Sequence, residues 1–123
     1  MNILFINSDA SMHEEFNEFS QDIHAKNYFS NSTEMSIALL NEHQIDAVVI
    51  KIGKLSDVSV LKYINDYYKH IKVLVSARED FEEVLAIFNQ VDFEVLPSKM
   101  GLAELKEHLV HWKVNWNMKI KTK

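Results

Sequence analysis

Between Ile3 and Leu96 the chain alternates short apolar runs with stretches whose apolar residues return every three or four positions, and this alternation most constrains its fold. The run Ile3-Leu4-Phe5-Ile6 is apolar at every position and bounded by Asn2 and Asn7, the pattern of a strand buried on both faces. Met12, Phe16, Phe19 and Ile23 follow as one stripe of an amphipathic helix, with His13, Glu14, Glu15, Asn17 and Glu18 on its wet side. Asp9 or Ser11 is placed to cap that helix. Tyr28-Phe29 marks a weak second strand, and Thr33 stands as the N-cap of a helix carrying Met35, Ile37, Ala38, Leu39 and Leu40. Ala47 to Ile52 is the strongest strand signal, interrupted only by Lys51. Val58, Leu61, Ile64 and Tyr68 repeat at helical spacing, and Val73-Leu74-Val75 is a further buried strand. Phe81, Val84, Leu85 and Phe88 predict a fourth helix, Phe93 to Leu96 a fifth strand, and Leu102, Leu105, Leu109 and Trp112 a final helix running toward Trp116.

Strands that alternate with helices at this spacing form a parallel α/β sheet covered on both faces, with right-handed crossovers. Two glycines and one proline in 123 residues are too few for the many tight turns of an all-β sandwich. A chain of this length forms one domain and buries about two-thirds of its unfolded surface. There is no cysteine, which removes disulfides and thiolate metal sites. No run approaches the ~20 apolar residues of a membrane span. The N-terminal residues lack the basic and apolar regions of a signal peptide. A cytoplasmic protein is expected. The formal net charge of −5 disfavours direct nucleic-acid binding by the domain, because phosphate contacts need clustered cations. Lys113, Lys119, Lys121 and Lys123 concentrate positive charge at one end, so residues 1–112 read as the domain and 113–123 as a basic helical extension or tail.

In open parallel sheets, function sits beyond the carboxyl ends of the strands. That directs attention to Asn7 to Asp9, Lys51 to Lys54, Ser76 to Asp80 and Pro97 to Met100. Leading into or following them are Leu39-Leu40-Asn41-Glu42-His43-Gln44-Ile45-Asp46-Ala47-Val48-Val49-Ile50, Val73-Leu74-Val75-Ser76-Ala77-Arg78-Glu79-Asp80 and Leu102-Ala103-Glu104-Leu105. In order and spacing these segments resemble the receiver domain of two-component response regulators, over a span from Asn2 to about Trp112. The resemblance implies a flavodoxin-like (βα)5 fold, a five-stranded parallel sheet with strand order 2-1-3-4-5.

It also implies a pocket in which an aspartate accepts a phosphoryl group. Neighbouring carboxylates hold Mg²⁺ there, and a hydroxyl and a lysine bind the product. In this chain the position of the phosphoacceptor is Lys51, and the two acids correspond to Asn7 and Ser8, followed by Asp9. Ser76 matches the hydroxyl, the lysine corresponds to Ser98 or to Lys99, and the aromatic switch position is Val95. The resemblance is therefore to an atypical, pseudo-receiver domain that signals through protein contacts without phosphorylation. An ammonium at Lys51 cannot accept a phosphoryl group and repels a divalent cation. Its side chain either reaches water from the strand end or pairs with Asp9.

Receivers of this family associate through the fourth helix, fifth strand and fifth helix, here carrying Phe88, Val95, Glu104, His108, Trp112 and Trp116. A protein partner or a second copy is expected on that surface, and no membrane. Glu104, Glu107, His108 and His111 share a helix spacing that suits metal ligands but equally suits a solvated face with i,i+4 pairs. Tyr63, Tyr67 and Tyr68 read as one core residue with flanking neighbours. There is no Gly-rich phosphate loop, nucleophile elbow, zinc-protease motif or cysteine nucleophile, so no catalytic residue, cofactor or metal is assigned. The rival reading is a phosphoryl-accepting receiver with displaced chemistry on Asp57 or Asp9, Asp57 being placed in the loop after the third strand. Asp46 precedes that strand and belongs to the opposite end of the sheet.

Overall fold

A computed structural model of the chain describes residues 1–8, 11, 13–68, 70–77, 93–96, 107, 110 and 111. In chain order they form β1 (Asn2–Ile6), α1 (His13–Asp22), β2 (Lys26–Ser30), α2 (Thr33–Glu42), β3 (Ala47–Ile52), α3 (Leu55–Tyr67), β4 (Lys72–Ala77) and β5 (Phe93–Leu96). The strands make one sheet in the order β2-β1-β3-β4-β5, and every neighbouring pair is parallel. The fourth helix expected from the sequence lies outside the described residues, and of the fifth only Glu107, Val110 and His111 are described, all three helical.

Because successive side chains on a strand point to opposite faces, each apolar run supplies two cores at once. Leu4, Ile6, Val48, Ile50, Ile52, Val73 and Val75 point to the face covered by Leu40 of α2 and by Val60, Leu61 and Ile64 of α3. Ile3, Phe5, Ala47 and Leu74 point to the other face, where Phe16 of α1 closes over them. Phe5 stacks between Phe16 and Phe29, with ring centroids 4.5 and 5.3 Å apart. This two-sided burial explains why the strands read as unbroken apolar runs. Lys51 has the parity of Ala47 and Val49 and is exposed, a charged residue at the end of an otherwise buried row.

The helix ends depart from the sequence reading in informative ways. Ser32, not Thr33, caps α2: its backbone is extended and its hydroxyl accepts the Met35 amide at 3.1 Å. Thr33 is already the first helical residue, and its hydroxyl donates to the Ser56 carbonyl, joining the starts of α2 and α3. In α2, Ser36 and Leu40 are buried while Met35 is 48% exposed, so the apolar stripe is narrower than its composition indicates. Ser36 is fully buried because its hydroxyl has two partners, the Ser32 carbonyl and the Ser30 hydroxyl.

Just beyond the end of α1, His24 adopts a left-handed conformation with φ 56°. The Ala25 amide donates to the Ser20 carbonyl and the His24 amide to the Gln21 carbonyl, the paired bonds of a Schellman cap in which glycine is the usual residue.

Candidate functional site

The carboxyl ends of β1 and β3 meet the start of α3 around an open hollow of about 320 Å³ lined by Asn7, Lys51, Gly53, Lys54 and Asp57. Asn7 leaves β1 with φ 62°, a left-handed conformation that asparagine tolerates better than most side chains. Its amide donates to the Ser30 carbonyl at 2.8 Å, which extends the pairing with β2 while turning the side chain across the sheet top. The Asn7 side-chain amide donates to the Lys51 carbonyl at 3.1 Å and to Asp57 Oδ1 at 2.8 Å.

Asp57 is the centre of this arrangement. It lies in the first turn of α3 rather than in a loop, which corrects the sequence reading, and only 3% of its surface is exposed. The Asp57 Oδ2 atom accepts the Gly53 amide at 2.8 Å and the Lys54 amide at 3.0 Å. The reason is local: Lys54 is the N-cap of α3 and Asp57 the third helical residue, so the carboxylate folds back onto amides that the helix leaves without partners. Lysine has no side-chain acceptor to make the other half of such a box. The helix dipole adds a favourable field for the anion. A Cβ on Gly53 would sit 3.9 Å from Asp57 Oδ2, an ordinary contact, so the turn needs the glycine amide more than the absence of a side chain.

The expected pocket residues divide accordingly. Asn7 and Lys51 are brought together through a backbone carbonyl, and Ser76 stands opposite Lys51 in the β3–β4 register. The Lys51 side chain is exposed, the arrangement of a lysine reaching water from a strand end. Its expected partner Asp9 lies outside the described residues, as do Ser98 and Lys99. Ser8 faces away into a different contact: its hydroxyl lies 3.1 Å from Nε2 of His13, whose ring stacks on Phe29 with centroids 3.8 Å apart. His13 is therefore partly buried and not simply a surface histidine. Asp46 accepts the Asn2 amide at 2.7 Å at the amino end of the sheet, remote from the hollow, as its place before β3 requires.

Val95 lies in β5 opposite Val75 in register. Phe88, Glu104, His108, Trp112 and Trp116 lie outside the described residues, and so does the basic stretch 113–123. Glu107 and His111 are helical and exposed. Tyr63 and Tyr68 pack against the core and both donate hydroxyl hydrogen bonds to Asn41 Oδ1, while Tyr67 is 70% exposed.

The described residues do not fit a divalent cation. Asn7 presents its amide NH₂ to Asp57, a donor where a cation needs an acceptor. Both oxygens of Asp57 already accept hydrogen bonds, and Lys51 adds a positive charge to the rim. Among the described residues no group of three or more histidine, aspartate or glutamate side chains could hold a metal ion. No helix among them is long and apolar enough to cross a membrane. Asn7 and Lys51, singled out in the sequence, both line the hollow, whereas the sequence singles out Asp57 only as a rival phosphoacceptor and not as a cap of α3. The signal was present in the spacing Gly53-Lys54-x-x-Asp57, an acid three residues after a cap, but a lysine at the cap position conceals the motif.

No family model and no curated protein matches the chain by sequence. Solved structures match it by shape. A CheY-like response regulator receiver domain protein from Methanospirillum hungatei superposes with a TM-score of 0.75 at 9% identity, covering 96% of this chain and 97% of that one. A response regulator receiver domain protein from Clostridium thermocellum gives a TM-score of 0.74 at 17% identity, covering 97% and 98%. The receiver domain of the Saccharomyces cerevisiae response regulator Ssk1, co-crystallised with the histidine phosphotransfer signaling protein Ypd1, gives 0.71 at 12% identity, covering 93% and 89%. With these neighbours and this strand order, the chain has the flavodoxin-like fold of response-regulator receiver domains.

Proposed function

We propose that this chain is a pseudo-receiver: a non-enzymatic signalling module that works through protein contacts and does not depend on phosphorylation. The observation that carries the reading is Lys51 at the carboxyl end of β3, opposite Ser76, where a receiver presents its phosphoacceptor carboxylate. An ammonium cannot form an acyl phosphate, and Asp57, the carboxylate among the described residues that line the hollow, is buried in the first turn of α3 with both oxygens engaged. Asn7 in place of an acid removes the other half of a cation site.

The fold still offers the surfaces through which such domains bind proteins. One structural neighbour is seen with a phosphotransfer protein bound. The surface expected to serve here is that of the fourth helix, β5 and the fifth helix, to which the sequence assigns Phe88, Val95, Glu104, His108, Trp112 and Trp116. The occupant is a protein partner or a second copy of the chain.

Incubation with acetyl phosphate and Mg²⁺ followed by intact-mass measurement tests the central claim. The mass should remain that of the unmodified chain. A stable phosphoryl adduct mapping to Asp57 or Asp9 would instead establish a receiver with displaced chemistry. Light scattering across a concentration series tests self-association, and a strict monomer at high concentration removes the second-copy arm.

A further inference from the structure

A buried carboxylate that accepts hydrogen bonds from two backbone amides and one side-chain amide is more than a helix cap. The Gly53 and Lys54 amides point from the end of β3 and the start of α3 toward the hollow, the donor arrangement that binds anions at helix N-termini. Lys51 and Lys54 stand at the same rim with their positive charges. An external anion is the natural ligand of such donors, yet the chain's own Asp57 fills them. Asn7 then ties the carboxylate to β1 and, through the Lys51 carbonyl, to β3.

We propose that Asp57 is a built-in anionic ligand that closes the pocket from within. It holds the β3–α3 turn in one arrangement and denies its amide donors to phosphate or any other small oxyanion. This deepens the pseudo-receiver reading and rests on it: an internal ligand fixes the turn without a phosphoryl group. Charge complementarity supports the assignment. Among the described residues that line the hollow, Lys51 and Lys54 are the cations and Asp57 is the one anion. An empty site would leave two cations beside unpaired amides. Burial supports it as well, since a carboxylate only 3% exposed needs its full set of donors to be retained.

The test uses the full chain and amide hydrogen exchange read by NMR, with inorganic phosphate as the probe. In the wild type the Gly53 and Lys54 amides should be protected, and phosphate at millimolar concentration should not move their resonances. In Asp57→Ala the same two amides should exchange about 5- to 30-fold faster, the range expected when an N-terminal cap worth about 1–2 kcal/mol is lost. Phosphate should then shift both resonances in a salt-sensitive manner, because the vacated donors and the two lysines form an open anion site. Protection of the Ile6 and Ile50 amides should persist, which separates loss of the internal ligand from unfolding. Asp57→Ser, with a side chain too short to span both partners, serves if the alanine variant does not fold and should behave alike. Asp57→Asn keeps a carbonyl oxygen for the two amides and should remain protected and insensitive to phosphate.

Unprotected Gly53 and Lys54 amides in the wild type, or equal phosphate shifts in wild type and Asp57→Ala, overturn the internal-ligand proposal and leave the pseudo-receiver reading untouched. A phosphoryl adduct formed from acetyl phosphate overturns the pseudo-receiver reading instead, whatever the amides do.

Discussion

Replacing Asn7 by aspartate introduces the acid that the resemblance to receivers implies at this position, and in this chain it should destabilise the fold. In the wild type the Asn7 amide donates to Asp57 Oδ1 at 2.8 Å and to the Lys51 carbonyl at 3.1 Å. The substitution turns the donor into a second carboxylate. A hydrogen bond to a charged group contributes about 1.5–3 kcal/mol net, and that is lost. Two like charges held about 4 Å apart at an effective dielectric of 20 repel by about 4 kcal/mol, an upper bound because the new side chain can swing toward solvent. Aspartate tolerates the left-handed backbone of position 7 almost as well as asparagine, so little of the effect comes from strain. The expected loss is about 3–5 kcal/mol in urea unfolding at neutral pH. Asn7→Ala, which removes the bond without adding charge, should lose less.

The double variant Asn7→Asp/Asp57→Asn makes the reasoning stricter. The new asparagine keeps an oxygen for the Gly53 and Lys54 amides and turns its NH₂ toward the new aspartate, so the central bond re-forms with its polarity reversed. At least half of the lost stability should return. Recovery cannot be complete, because the Lys51 carbonyl has lost its donor. An Asn7→Asp variant as stable as the wild type, a double variant worse than the sum of its parts, or stabilisation of Asn7→Asp by Mg²⁺ as at a true cation site would refute this role of Asn7.

Other expectations concern the scaffold. His24→Gly should raise stability by about 1 kcal/mol in thermal unfolding, since glycine meets the left-handed φ of 56° without a Cβ penalty. Ser32→Ala should cost about 1 kcal/mol, whereas Thr33→Ala should cost less, because only Ser32 accepts the Met35 amide. Phe16→Ala should cost about 3–5 kcal/mol by emptying the site against Phe5, read in the same unfolding assay. Gly53→Ala should be nearly neutral, since the nearest atom to the new methyl is 3.9 Å away.

The parts of this fold that were legible in the sequence are those governed by apolar periodicity. Ile3 to Ile6, Ala47 to Ile52 and Val73 to Val75 announce buried parallel strands because both faces of the sheet are covered, and the structure places a separate core on each face. Phe16 and Phe19 announce α1 for the same reason. Hydrogen-bond geometry was less legible. Nothing in composition separates Ser32 from Thr33 as a cap, since both are good ones and the choice depends on which residue first leaves the extended backbone. His24 at a glycine-type helix end carries no local signal at all.

The candidate site shows the same division more sharply. Lys51 could be found because a charge interrupts an apolar run, and Asn7 because it ends one. Asp57 could not be weighed in the same way. An aspartate after a glycine and a lysine reads as a loop residue, and its importance depends on the turn of α3 that brings it back over Gly53 and Lys54 and within reach of Asn7, 50 positions earlier in sequence. Lys51 by itself would leave a hollow without a carboxylate at the strand end but otherwise open to ions. With Asp57 engaged by three donors, the pocket instead has a ligand of its own. The two features support each other: a cation at the strand end favours a carboxylate nearby, and a carboxylate already bound by three donors is a poor ligand for a metal. Lys51→Asp alone should therefore fail to create Mg²⁺ binding, measured by NMR titration, because the second anion would face the fixed Asp57 and the Asn7 donor, with no further acid among the described residues that line the hollow. Submillimolar Mg²⁺ affinity in that single variant would mean that the pocket is one residue from a working receiver and that Asp57 is not holding it closed.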